Sequence, residues 1–141
     1  MIDKVKIEGQ LSNLRDYLSK LYDIAKIDLK TFQHDILYKA AAERLLQVSI
    51  ETCLNIGNHI IASMSWRNPN DYADIFKILG ENEVIPKEFS EKMVEMAKFR
   101  NLLVHLYWEI DPKVEFEFLK SDLNDFELFA KYIVKFLKKS L

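Results

Sequence analysis

The chain has 141 residues, 49% of them hydrophobic and 30% charged, which suits one globular domain with a sizeable core and excludes a disordered polar tract. Lys and Arg number 20 against 22 Asp and Glu, a net charge of −2, so a globally basic nucleic-acid binder is excluded while a local basic cleft is not. Three Gly and three Pro are about 4% of the chain, against an average near 12% for the two together. That scarcity excludes an all-β architecture, which needs a turn about every 8–12 residues.

No run of apolar residues exceeds three, so no membrane-spanning segment and no membrane partner is expected. The stretch from Met1 to Glu8 lacks the apolar centre of a secretory signal, and the cytoplasm is the expected compartment. Cys53 is the one cysteine, which leaves neither an internal disulfide nor a Cys-based zinc site. No metal-ligand spacing and no Gly-rich phosphate loop occurs, so no metal and no cofactor are expected.

Taken in chain order, the apolar residues keep helical time. Ile7, Leu11, Leu14, Leu18, Leu21 and Ala25 step by 4, 3, 4, 3, 4 and predict a first helix with one apolar face. A long apolar-rich segment from about Asp35 to Met64 predicts a second, with Leu46, Ile50, Cys53, Gly57 and Ile60 on one stripe. Asn68-Pro69-Asn70 breaks the chain. Asp71 to Leu79 forms a short helix that Gly80 is expected to stop. Pro86 precedes a further helix, about Lys87 to Tyr107, carrying Phe89, Met93, Met96 and Leu103. Asp111-Pro112 reads as an N-cap followed by a first helical residue. Leu119, Leu123, Phe126, Ala130, Ile133 and Leu137 then keep helical step to the end, where Lys135, Lys138 and Lys139 suit the helix dipole. With no repeat or linker, residues 1–141 are expected to form a single all-α domain, a bundle of four main helices plus one or two short ones.

One segment reads as chemical. Phe99 to Trp108 holds seven apolar or aromatic residues in ten, and its polar members are Arg100, Asn101 and His105. Arg100 falls on the core phase of its helix, where a guanidinium is costly to desolvate without a partner. Extending that helix through 107 puts Tyr107 two turns from Arg100 and about 20° away, with Asn101 and His105 as an i, i+4 pair beside them. A fixed cation, an imidazole that titrates near neutral pH and a phenol suit phosphodiester chemistry. No metal is required if the nucleophile is the RNA's own 2′-OH. Arg100 and His105 stand about 140° apart on an ideal helix, and a two-fold copy of the helix would bring both pairs into one cleft. The alternative is structural: Arg100 paired with a buried acid in a helical dimerisation domain, with Asn101 and His105 as ordinary hydrogen-bonders.

The remaining conspicuous residues have structural readings first. Glu43, Arg44 and Glu51 read as ion pairs on the long helix, with the option that one acid positions Arg100 from behind. His34 and His59 read as surface or hydrogen-bonded residues, and Cys53 as a core thiol. Trp66 and Trp108 are expected to close the core at helix ends, or Trp108 to stack a base.

Arg100-Asn101-Leu102-Leu103-Val104-His105, continued by Leu106-Tyr107, resembles the R-x4–6-H signature of the HEPN superfamily. The fuller form R-x4-H-x-Y is similar to that of the HepT toxins of HepT–MntA toxin–antitoxin pairs. Ala42 to Glu51 and Ile56 to Ile61 are similar to the long second helix of the same proteins. The resemblance implies a HEPN-type up-and-down bundle and a homodimer with a composite cleft. It implies metal-independent endoribonuclease activity on tRNA or mRNA, with Arg100 and His105 catalytic and Asn101 supporting. It further implies that a cognate MntA-like nucleotidyltransferase antitoxin adenylylates Tyr107 to silence the toxin. A non-catalytic subunit for such a transferase, with Tyr107 only an acceptor, is the other function the same residues allow. From Lys87 to Asp111 four basic residues face five acidic ones, so no basic stripe is expected within one copy.

Overall fold

The computed structural model describes residues 1–140. Seven α-helices and one 3-10 turn make up the described fold, and no strand occurs among those residues. The helices are α1 (Lys4–Ala25), α2 (Leu29–His34), α3 (Ile36–Ser63), α4 (Tyr72–Glu81), α5 (Lys87–His105), α6 (Pro112–Ser121) and α7 (Leu123–Lys139), with the 3-10 turn at Tyr107–Glu109. The all-α bundle read from the sequence is what forms. Its four main helices are α1, α3, α5 and α7, and three shorter ones, one more than expected, join them.

Local chemistry sets most of the boundaries. Asp3, Asp28, Asp35, Asp71 and Asp111 are N-caps whose carboxylates accept backbone N–H groups of the first turn, satisfying donors that the helix cannot. Pro112 follows its Asp111 cap as anticipated. Asp122 divides the C-terminal periodicity into α6 and α7, although the apolar stripe runs through both.

Gly80 does not stop its helix. It lies inside α4, and a Cβ there would stand 2.8 Å from Ser90 Oγ and 2.9 Å from Ser90 Cβ. Its missing side chain lets α5 approach α4, a packing requirement that imitates a stop signal in the sequence. The reversal falls later, at Glu83 with φ 61°, where Val84 N–H donates to Leu79 C=O at 3.0 Å, an αL closure of the kind that usually takes glycine.

α1 packs along α3, α4 lies against α5, and α3 runs between them. The core is one apolar cluster drawn from every helix. Phe32, Phe76, Phe126 and Phe129 are fully buried in it, each contributing about 1.5–3 kcal/mol by leaving water. Cys53 is buried, and burial pushes its thiol pKa up, consistent with an inert core thiol. Trp66 packs against the core beside Phe136. Trp108 does not close the core as expected: it is 66% exposed on the 3-10 turn.

Candidate active site

Arg100 occupies the core phase of α5, between buried Met96 and Leu103, and the cost is met by an acid. Its Nε and Nη2 donate to one oxygen of Glu51 on α3 at 2.9 and 2.6 Å. Nη1 donates to Asn101 Oδ1 at 3.2 Å. The guanidinium also lies 4.9 Å from the ring centroid of Tyr72 at the start of α4, a cation–π contact. Arginine has five N–H groups; with three engaged, one remains on Nη1 and one on Nη2. The side chain is therefore held from behind, with donors left over for an anion.

Glu51 is the acid that positions Arg100. Gln47, one turn earlier, donates to the same Glu51 oxygen at 3.2 Å and fixes it in turn. Glu43 pairs instead with Lys39 at 3.1 Å.

A cleft of about 610 Å³ opens in front of Arg100. α3 supplies Asn55 and Asn58, the segment before α4 supplies Asn70, the first residue of α4 is Tyr72, and α5 supplies Arg100, Asn101 and His105. Arg100, Asn101 and His105 thus share one cavity despite their angular separation on the helix. His105 is the last residue of α5 and is exposed.

The far wall is pinned by charge. Arg67 forks onto Asp74 at 2.7 and 2.8 Å and onto Glu81 at 3.1 and 2.8 Å, while Asn70 N–H donates to Asp74 at 2.9 Å. Arg67 is the main cause that holds the Asp74 carboxyl down at about 2. The segment between α3 and α4 is thereby folded back onto α4, and that fixes Tyr72 opposite Arg100. The sequence had offered Arg67, Asn55, Asn58 and Tyr72 no role. The i, i+4, i+7 spacing of Glu51, Asn55 and Asn58 on one face of α3 is the signal that points to the last two of its members.

Tyr107 is placed differently from the sequence expectation. α5 ends at His105, and Leu106 leaves helical geometry with φ −137° and ψ 35°. Glu109 N–H then donates to Leu106 C=O at 2.9 Å in the 3-10 turn. Pro112 keeps Asp111 extended, as the residue before proline requires, and the chain must unwind beforehand to bury Ile110. Tyr107 is 55% exposed, edge-on to Trp108, and is not part of the cleft wall. The helical alignment of Tyr107 with Arg100 does not form.

His59 accepts a hydrogen bond from Asp3 N–H at 3.1 Å, joining α3 to the start of α1, and His34 is exposed at the end of α2. Among the described residues, no three of His, Cys, Asp and Glu stand together as a metal site, and no helix is long and apolar enough to cross a membrane.

The model of the HepT-like ribonucleases matches residues 11–133, most of the chain and all of this cleft. The chain belongs to the HepT-like ribonuclease family. It is 26% identical to the tRNA nuclease HepT of Aphanizomenon flos-aquae over 136 residues, which is 96% of this chain and 92% of that one. It is 29% identical over 106 residues to the mRNA nuclease HepT of Shewanella oneidensis, covering 75% and 80% of the two chains. Among solved structures, it superposes on the tri-AMPylated Shewanella oneidensis HEPN toxin in complex with MNT antitoxin with a TM-score of 0.85 and 25% identity, over 92% of this chain and 96% of that one. For this HepT-like chain, the family read from the sequence is thereby established.

Proposed function

We propose that residues 1–141 form one HepT-like domain that acts in the cytoplasm as a metal-independent endoribonuclease toxin on tRNA or mRNA. The observation that carries this reading is the shared cleft, in which Arg100, braced by Glu51, keeps two free N–H groups beside Asn101 and His105. Arg100 binds the scissile phosphate in a fork and stabilises the charge that develops on it. His105 takes the proton of the adjacent 2′-OH, whose oxygen attacks phosphorus. The bond from phosphorus to the 5′-oxygen breaks, a cyclic phosphate forms and the departing oxygen takes up a proton. Two His105 side chains in the composite cleft of a homodimer would serve as base and acid. Asn101 supports by holding Nη1 of Arg100.

The exposed Tyr107 is the acceptor we propose for a cognate MntA-like nucleotidyltransferase. Its phenolic oxygen attacks the α-phosphorus of ATP, pyrophosphate leaves and the phenol proton is lost to solvent or a base. The bound AMP adds negative charge two residues beyond His105, where it opposes RNA phosphates. The tri-AMPylated state of the Shewanella oneidensis toxin complex supports this reading. The exposure of Tyr107 outside the cleft wall also suits the second reading, a non-catalytic subunit whose only chemistry is to accept the nucleotide.

The test is cleavage of total RNA by the purified chain in EDTA, beside His105→Ala. The expected result is cutting by the wild type and a loss of at least about 100-fold in the variant, the low end for general acid–base catalysis, with its helical signal intact. No cutting by either protein, with Tyr107 unmodified by intact mass, would favour the second reading.

A further inference from the structure

The cleft holds more than phosphate chemistry requires. Beyond Arg100 it presents an exposed aromatic ring, Tyr72, and the side-chain amides of Asn55, Asn58 and Asn70. None of those three amides makes a hydrogen bond within the described residues, although the amides of Gln47 and Asn82 do. Asn55 and Asn58 lie well inside the 28-residue α3. Asparagine is a poor helix former that favours caps and turns, so two of them, i and i+3, on the turns facing Tyr72 are not explained by the helix. With Glu51 they form one row on α3. At 1.5 Å of rise per residue, Asn55 and Asn58 lie about 6 and 10 Å along the helix from the carboxylate that holds Arg100.

We propose that this side of the cleft is a nucleobase subsite, in which Tyr72 stacks the base next to the phosphate held by Arg100 and the Asn55, Asn58 and Asn70 amides read its edge. The ligand is an unpaired base of single-stranded RNA. A ring in a duplex offers no free face, whereas an unpaired base offers both a face to an aromatic and a donor–acceptor edge to amides. An amide carries both a donor and an acceptor, which matches the mixed edge of a base better than a phosphate, which only accepts. Tyr72 is half exposed while its ring already meets the Arg100 guanidinium, so a stacked base would extend an existing guanidinium–ring stack. The inference rests on the nuclease reading for its biological meaning but makes its own prediction about binding.

The experiment measures binding of fluorescent single-stranded RNA tetramers of each base to the His105→Ala protein, which separates recognition from cutting. One tetramer is expected to bind more tightly than the others. Tyr72→Ala is expected to weaken it roughly 5- to 150-fold, the range for loss of one base–aromatic stack, and Tyr72→Phe to retain it. Asn55→Ala with Asn58→Ala is expected to narrow the difference between bases. A tetramer with an abasic ribose at the preferred position is expected to lose sensitivity to Tyr72→Ala. Equal binding of all four bases, or an equal effect of Tyr72→Ala on abasic and intact RNA, would overturn the subsite and leave Tyr72 only as a brace for Arg100. Base-selective binding by a protein whose wild type cuts no RNA would keep the subsite and refute the nuclease reading.

Discussion

Two charged residues inside the bundle behave oppositely because their neighbours differ. Arg100 enters the core with a carboxylate, an amide and an aromatic face around it. Glu115 on α6 is fully buried, neither of its carboxylate oxygens has a hydrogen-bond partner, and the nearest cation, Lys39, is 3.8 Å away. Burial, reinforced by the nearby Glu43 carboxylate and only partly countered by Lys39, pushes its carboxyl up to about 8. The folded chain therefore keeps a proton that the unfolded chain, near 4.5, releases. The contribution of Glu115 to stability is therefore full below about 4.5 and is lost as pH rises from about 4.5 to about 8. Urea unfolding of wild type and Glu115→Gln at pH 5 and pH 8 checks this: the wild type is expected to lose stability across the interval and the variant to lose less. Parallel losses would remove Glu115 as the cause. The core phase of Arg100 was legible in the sequence because its spacing from Phe89, Met93 and Met96 is helical. Its partner was not, because Glu51 lies 49 residues away and Glu43 was an equal candidate until the register of α3 against α5 was known.

At the scale of the helices, periodicity marked the long elements well, and α3 starts and stops within one residue of the segment expected. The misreadings occur where one residue type serves two physical ends. Gly80 permits contact between α4 and α5 rather than ending α4. Gly57 plays the same part between α3 and α4, since a Cβ there would meet Ile75 Cγ2 at 2.7 Å. Gly80→Ala is therefore expected to destabilise the protein by about 1–3 kcal/mol through overpacking against Ser90, despite alanine's better helix propensity. A thermal melt decides between the two effects: a lower midpoint confirms the close approach, and a higher one would mean that α4 and α5 part without cost. The end of α5 was misjudged for a related reason. Leu106, Tyr107 and Trp108 continue an apolar pattern, yet all three are exposed, so the pattern there does not report a core.

For the whole molecule, the net charge of −2 gives one copy little general attraction for RNA, and recognition has to come from the local cleft. Leu106, Tyr107 and Trp108 form an exposed apolar rim after His105, the kind of surface that a second copy covers. If the proposed composite cleft is correct, neither Arg100→Ala nor His105→Ala will cut RNA alone, and mixing the two after co-refolding is expected to restore part of the activity through heterodimers. No recovery, with heterodimers shown by native mass spectrometry, would mean that each cleft works from one copy. The motif and the fold were open to a reader of the sequence; the bracing of Arg100, the amide row and the placement of Tyr107 depend on how distant helices meet.

The most direct measurement of the central claim, that Arg100 and His105 drive the RNA's own 2′-OH onto its phosphate, is the chemistry of the cut ends. Products formed in EDTA and read by mass spectrometry are predicted to carry a 2′,3′-cyclic phosphate on one fragment and a 5′-hydroxyl on the other. Fragments ending in a 3′-hydroxyl and a 5′-phosphate would show that water attacks instead, and would contradict the central claim and the role given to His105.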